Sequence, residues 1–111
     1  MSFGAVVPGV PAAGLPEEAY LLDVREPGEW TVGHAPGAVH IPLGELGAQV
    51  RQVPRDQTVY VICRSGSRSA YAAQALGAGG WNAVNVADGM LGWASAGRPM
   101  VSDSGAPPFV A

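Results

Sequence analysis

Apolar residues along this chain gather into short blocks that turn-formers and charges keep apart. Tyr20–Val24 reads YLLDV, an apolar run closed by Asp23 and Arg25, and is expected to be a buried strand. Thr58–Ile62, TVYVI, is β-branched and aromatic with turn residues on both sides, which makes it the firmest strand in the sequence. Ala38–Ile41, stopped by Pro42, and Ala83–Val86 supply two more. The uncharged opening MSFGAVVPGVPAAGLP holds at most a short edge strand near Ala5–Val7, because Pro8 and Pro11 interrupt any longer ladder. Helical stretches fill the gaps. Pro27 suits the first position of a short helix through Trp30 that Gly33 ends. Leu43–Val53 carries apolar residues at mixed helical spacing. The alanine-rich Ser69–Ala78 is strongly helical, with Gly77, Gly79 and Gly80 to end it, and a short helix follows near Met90–Ala94. Strands alternating with helices predict a single α/β domain whose parallel sheet is covered on both faces. Gly97–Ala111, with three prolines, reads as a loosely docked extension beyond a core of about residues 17–96.

Composition narrows the chemistry. A chain of 111 residues supports one core, and 48% hydrophobic against 14% charged residues marks it as globular. The net charge of −3 and the lack of a basic stripe weigh against a nucleic-acid partner, and no apolar run reaches membrane-span length. All six basic residues are arginines, which excludes a lysine Schiff base. Cys63 is the only cysteine, so neither an intramolecular disulfide nor a Cys-only metal site can form. With His34 and His40 as the only imidazoles, a structural zinc is not expected, nor is any other cofactor. The lone thiol, with no basic segment before Arg25, points to a reducing, cytoplasmic setting.

The segment TVYVICRSGSRSAY carries the reactive pattern. Cys63 falls where the firmest strand ends and the best helix begins, the edge at which open α/β sheets bind ligands. Ser65, Gly66 and Ser67 are small enough for successive backbone N–H groups to turn inward as an anion-binding nest, and the positive end of the next helix points the same way. Arg64 and Arg68 add permanent positive charge. Such surroundings favour a thiolate, lowering a cysteine from about 8.5 to roughly 3.5–7.5 in comparable sites. Cys63 is therefore the expected nucleophile. Arg68 opposes the dipole of the helix it opens, which favours a functional reason for it; Arg64 fits an anion contact and a solvated side chain equally well.

These residues resemble the rhodanese family of sulfurtransferases in its single-domain form. The likeness runs from Leu21 to Trp93 and rests on two blocks, DVREPGEWTVGHAPGAVHIPL at Asp23–Leu43 and CRSGSRS at Cys63–Ser69. The resemblance implies a three-layer domain with a five-stranded parallel sheet flanked by helices. It implies a persulfide on Cys63, loaded by a donor such as thiosulfate or a persulfide and emptied by a thiol or cyanide. A protein sulfur donor or acceptor is a further possible partner, and with no second cysteine the acceptor must come from outside. Rhodaneses use a C-x4-R loop, matched here by Cys63 and Arg68, where the related phosphatases and arsenate reductases use the larger C-x5-R cradle.

The same resemblance places Asp23 and Arg25 beside the active loop. It suggests that Asp23 pairs with a loop arginine and that Arg25 faces the entrance to meet an anionic donor; an ion pair without substrate contact fits Asp23 equally. Glu26 and Glu29 read as a solvated face, His34 and His40 as hydrogen-bonded framework residues, and Trp30, Trp81 and Trp93 as packing anchors. In VADGMLGW, Val86–Trp93, Asp88 stands where the family has the first glycine of L-x-G-G-x-x-x-W. If that turn meets the loop, its carboxylate raises the thiolate pKa and repels thiosulfate, or selects a less anionic donor. Beside an enzyme, two other classes fit the sequence: a sulfur carrier or adaptor loaded by a protein partner, and a non-catalytic binding module with an unreactive Cys63.

Overall fold

Five parallel strands form one sheet in the computed structural model, which describes residues 7–111. In chain order the strands and α-helices are β1 (Gly9–Val10), β2 (Tyr20–Asp23), α1 (Pro27–Val32), β3 (Val39–His40), α2 (Leu46–Gln49), β4 (Val59–Ile62), α3 (Ser67–Ala78), β5 (Ala83–Val86) and α4 (Gly89–Ser95). A 3-10 turn at Ala12–Gly14 follows β1, and two more, Leu43–Glu45 and Val50–Gln52, flank α2. The spatial order β1-β5-β4-β2-β3 puts β4 at the centre. It pairs with β2 through Leu22↔Val61 and Asp23↔Ile62, and with β5 through Tyr60↔Val84.

The two-residue period of β4 divides the core between the faces of the sheet. Val59 and Val61 join Leu22, Ile41, Leu46, Ala72, Ala73 and Leu76 under α2 and α3. Ile62 joins Leu21, Val86, Met90, Trp93 and Ala12 under α4 and the first 3-10 turn. Each fully buried Val or Ile contributes roughly 1.5–3 kcal/mol, so this shared strand anchors both layers.

Elements follow the sequence reading closely, with three instructive differences. The edge strand expected near Ala5–Val7 falls mostly outside the described residues, and the edge strand found lies between the two prolines instead. Pro8 and Val10 offer carbonyls to the Asn85 and Ala87 N–H groups at 2.8 and 2.9 Å, so the missing proline N–H is not needed there. The expected helix over Leu43–Val53 breaks into three short turns, consistent with Gly44 and Gly47 in its interior and Pro54 just beyond. The loosely docked tail is instead tied down. Val101 pairs antiparallel with His34 through two backbone bonds of 2.9 Å, and Asp103 and Phe109 donate to the carbonyls of Thr31 and Val32 at 2.8 and 3.0 Å.

Candidate active site

Cys63 is the first residue beyond β4, and its backbone is set by the neighbouring turn between β5 and α4. The carbonyls of Cys63 and Arg64 accept the N–H groups of Met90 and Leu91 at 2.8 and 3.0 Å. With the carbonyls drawn outward, N–H groups of the loop are free to face the sulfur. Two glycines allow this close approach. Gly66, at φ +106°, caps α3, and a Cβ there would strike the Ala87 carbonyl; Gly89, at φ +59°, would drive a Cβ into the carbonyls of Cys63 and Arg64.

Cys63 has no exposed surface. Its Sγ receives the Gly66 N–H at 3.1 Å and lies 3.3 Å from the Ser69 hydroxyl. Burial pushes the thiol up, but the Ser69 hydroxyl and the N–H groups of Ser69, Gly66 and Ser65 outweigh it and hold Cys63 below the usual 9.0. Most of this work is done by neutral donors. The Ser69 hydroxyl also reaches Asn85 Oδ1 at 2.6 Å, and Asn85 Nδ2 donates to the Gly66 carbonyl at 3.2 Å, which fixes the amide's orientation. A hydroxyl has one proton. With a thiol, Ser69 donates to Asn85 and can accept the S–H; with a thiolate, the same proton turns to sulfur.

Sequence reasoning passed over Ser69 as a site residue, although a lone polar residue on the inward face of an alanine-rich helix was a usable signal. Asn85 was missed because nothing in Ala83–Val86 says which strand neighbour lies beside the loop.

The loop residues Arg64, Ser65 and Ser67 are exposed and Gly66 is buried. Arg68 does not stand free. Its Nη1 and Nη2 donate to both carboxylate oxygens of Glu29 at 2.7 and 2.8 Å, so Glu29 is not part of a solvated face. Glu29 also accepts the Glu26 backbone N–H at 2.9 Å, closing a capping box at the start of α1. The Arg68 hydrogen bonds carry Glu29 down from 4.5 to about 2, against a partial desolvation cost. The same contact raises the Arg68 pKa and keeps it charged.

Asp23 and Arg25 depart from their expected roles. Asp23 pairs with Arg25 and not with a loop arginine, and Arg25 does not face an entrance: both side chains have no exposure. Arg25 Nε and Nη2 meet the Asp23 carboxylate at 2.8–3.1 Å, and further donors reach the carbonyls of Gly33 at 2.8 Å and Glu29 at 3.3 Å. Asp88 is exposed and turned from the sulfur, its Oδ1 accepting the Ala12 N–H at 2.8 Å, so it is Gly89 and not Asp88 that meets the loop. The histidines are framework residues as expected. His34 Nδ1 and His40 Nε2 bond the carbonyls of Trp30 and Arg25 at 2.8 Å, and both rings stack on Trp30. Trp81 and Trp93 donate to the carbonyls of Val53 and Pro99 at 3.0 and 2.8 Å.

Both the sequence and the fold have counterparts among known proteins. Residues 12–96 match the Rhodanese-like domain family. A protein of Allochromatium vinosum named as a sulfurtransferase is 34% identical over 90 residues, covering 80% of this chain and 84% of that one. The "Putative sulfur carrier protein YrkF" of Bacillus subtilis is 42% identical over 78 residues, 69% of this chain but only 42% of its own length. The crystal structure of a rhodanese-related protein from Thermoplasma volcanium superposes with a TM-score of 0.80 at 37% identity, covering 85% of this chain and 97% of that one.

Proposed function

Because the chain belongs to the rhodanese-like domain family, we propose that it moves sulfane sulfur through a persulfide on Cys63. The observation that carries this reading is the sulfur itself, buried at the end of β4 and held below its usual pKa by the Ser69 hydroxyl and loop N–H groups. In the first half-reaction the Cys63 thiolate attacks the outer sulfur of a donor such as thiosulfate. A new S–S bond forms, the donor S–S bond breaks, and sulfite leaves with the electron pair. The persulfide is anionic, and the same N–H groups stabilise its charge. In the second half-reaction an external thiolate, or cyanide, takes the outer sulfur and returns Cys63 as a thiolate. No cofactor enters either step. Arg64, Ser65, Gly66, Ser67 and Arg68 form the loop around the transferring atom.

The test is intact mass before and after thiosulfate, then after an acceptor thiol. A gain of one sulfur that maps to Cys63 and disappears with acceptor supports the cycle. Cys63→Ser should fold normally and gain nothing; transfer by that variant would overturn the assignment. A second reading, a sulfur carrier loaded by a protein partner, draws on the complete burial of Cys63 and on the similarity to YrkF. It expects negligible loading by thiosulfate and rapid loading by a persulfidated protein.

A further inference from the structure

The face of the sheet beneath α3 is apolar through Val59, Val61 and Ala83, then turns polar at Asn85, which shares that face of β5. Asn85 pairs in register with Val61 of β4 and Gly9 of β1, and its own N–H goes to the Pro8 carbonyl at 2.8 Å. The strand therefore fixes where its amide lies. That amide is also fixed end for end. Nδ2 donates to the Gly66 carbonyl at 3.2 Å, and a flipped amide would set two acceptors against each other there. Oδ1, which can only accept, is the atom 2.6 Å from the Ser69 hydroxyl, while Cys63 Sγ lies 3.3 Å from the same hydroxyl.

Ser69 has no exposed surface, and its one proton serves either Asn85 or sulfur. A thiolate takes that proton only at the expense of Asn85, leaving two oxygens 2.6 Å apart with no hydrogen between them. When Sγ is bonded to hydrogen or to a second sulfur it carries no charge, and the short bond to Asn85 is kept. We propose that Asn85 is a positioning residue that holds the Ser69 proton away from Cys63, disfavouring the thiolate against both the thiol and the persulfide. Ser69 and Asn85 thus act on the sulfur with opposite sign although they are bonded to each other. For the persulfide this rests on the function proposed above; for the thiol it does not.

The thiol is read by the pH midpoint of Cys63 alkylation by iodoacetamide, which involves no sulfur transfer. Arg64 and Arg68 of the loop, Glu29 of α1, Asp88 before α4 and the Asp23–Arg25 pair at the end of β2 carry the charges around the site. They are the same in every variant, so they cancel in the comparison. Asn85→Leu keeps the bulk of the amide and removes both its polar atoms. It should lower the midpoint by about half a unit, the low end of what one hydrogen bond contributes. Ser69→Ala should move the midpoint the other way, and in that background Asn85→Leu should have no effect. Asn85→Asp puts a charged acceptor in the same place. It should raise the midpoint, and by more with Ser69 present than with alanine there.

The persulfide is read by intact mass after equilibration with glutathione persulfide and glutathione at a fixed ratio. The Cys63 thiolate attacks the outer sulfur of the donor, a new S–S bond forms as the old one breaks, and glutathione thiolate leaves with the electron pair. Above the midpoint, Asn85→Leu should lower the ratio of loaded to unloaded protein about threefold, the same half unit. Below it, where the unloaded form is a thiol, the ratio should match that of the unaltered chain. A midpoint raised by Asn85→Leu would mean that the amide only steadies the hydroxyl for sulfur, and would overturn the proposal. An unchanged midpoint, or a shift that persists beside Ser69→Ala, would do the same. Asn85→Asp decides the matter should the leucine variant not fold: equal rises with and without Ser69 would remove the competition. If the midpoints move as expected but Cys63 is never loaded, the competition for the proton stands and the sulfur-transfer reading fails.

Discussion

The Asp23–Arg25 and Glu29–Arg68 pairs place the same two functional groups in different media. Asp23 and Arg25 have no exposed surface, while Arg68 and Glu29 retain 34% and 19%. Burying two charges carries a desolvation penalty of several kcal/mol per ion, so the inner pair is tolerable only because nearby carbonyls take further Arg25 donors. Those bonds tie the end of β2 to α1 and to the turn at Gly33. The outer pair meets water, gains little net stability, and joins α1 to the loop that holds Cys63. Burial thus decides where the loss of each pair should register, in stability for one and in reactivity for the other.

The largest effect expected from breaking this comparison is on the inner pair. Asp23→Ala leaves the Arg25 charge buried without its counter-ion and should cost about 3–5 kcal/mol in urea unfolding. Replacing both residues together, Asp23→Leu with Arg25→Met, should recover most of that loss, because no charge is then stranded. A loss below about 1 kcal/mol in Asp23→Ala would place this pair in the same class as the outer one.

The contrast also marks how far the sequence could be read. The position of Cys63, the small loop after it and the strands β2, β4 and β5 were legible because they rest on local patterns: β-branched runs, glycines and spacing along one segment. The ion-pair partners were not. Asp23 and Arg25 are two apart on one strand end, and Arg25 N itself bonds Asp23 Oδ1 at 3.0 Å, so the local partner won over the expected loop arginine. Arg68 finds Glu29 across 39 positions, a match that depends on how α1 lies over the loop. The path of the tail was hidden for a related reason: it docks largely through backbone groups, which every residue carries, with Met100 and Val110 adding apolar contacts that no periodic pattern announces.

Next in size is the effect of Ser69. If the ionic rim alone set the acidity of the sulfur, Ser69→Ala would leave the pH profile of iodoacetamide alkylation in place. The geometry instead predicts that its midpoint moves up, because the hydroxyl that favours the thiolate is gone. The rate at pH 7 should fall about fivefold, the net value of one hydrogen bond. Ser69→Thr, which keeps the hydroxyl, should restore much of it.

A smaller change of opposite sign should follow Glu29→Gln. Removing the carboxylate leaves the Arg68 charge uncompensated near the sulfur, so the alkylation midpoint should move down and the ratio of iodoacetate to iodoacetamide alkylation rates rise by about threefold. Urea unfolding should change by less than about 1 kcal/mol. A large loss of stability, with reactivity unchanged, would reverse the roles assigned to the two pairs.

The smallest effect tests the outer pair by acid. Glu29 has a folded pKa of about 2 against an ordinary 4.5, so the folded state favours its ionised form. The stabilisation is therefore complete above pH 4.5 and is lost as pH falls toward 2, where the carboxylate protonates even beside Arg68. Because water reaches the pair, its contribution should stay below about 1 kcal/mol. Comparing the thermal midpoints of the unaltered chain and Glu29→Gln isolates it: a small, constant gap from pH 7 to pH 5, narrowing between 4.5 and 2. A gap that persisted undiminished at pH 2 would mean that Glu29 stabilises the fold through its capping contact with the Glu26 N–H, which glutamine cannot fully replace, and not through its charge.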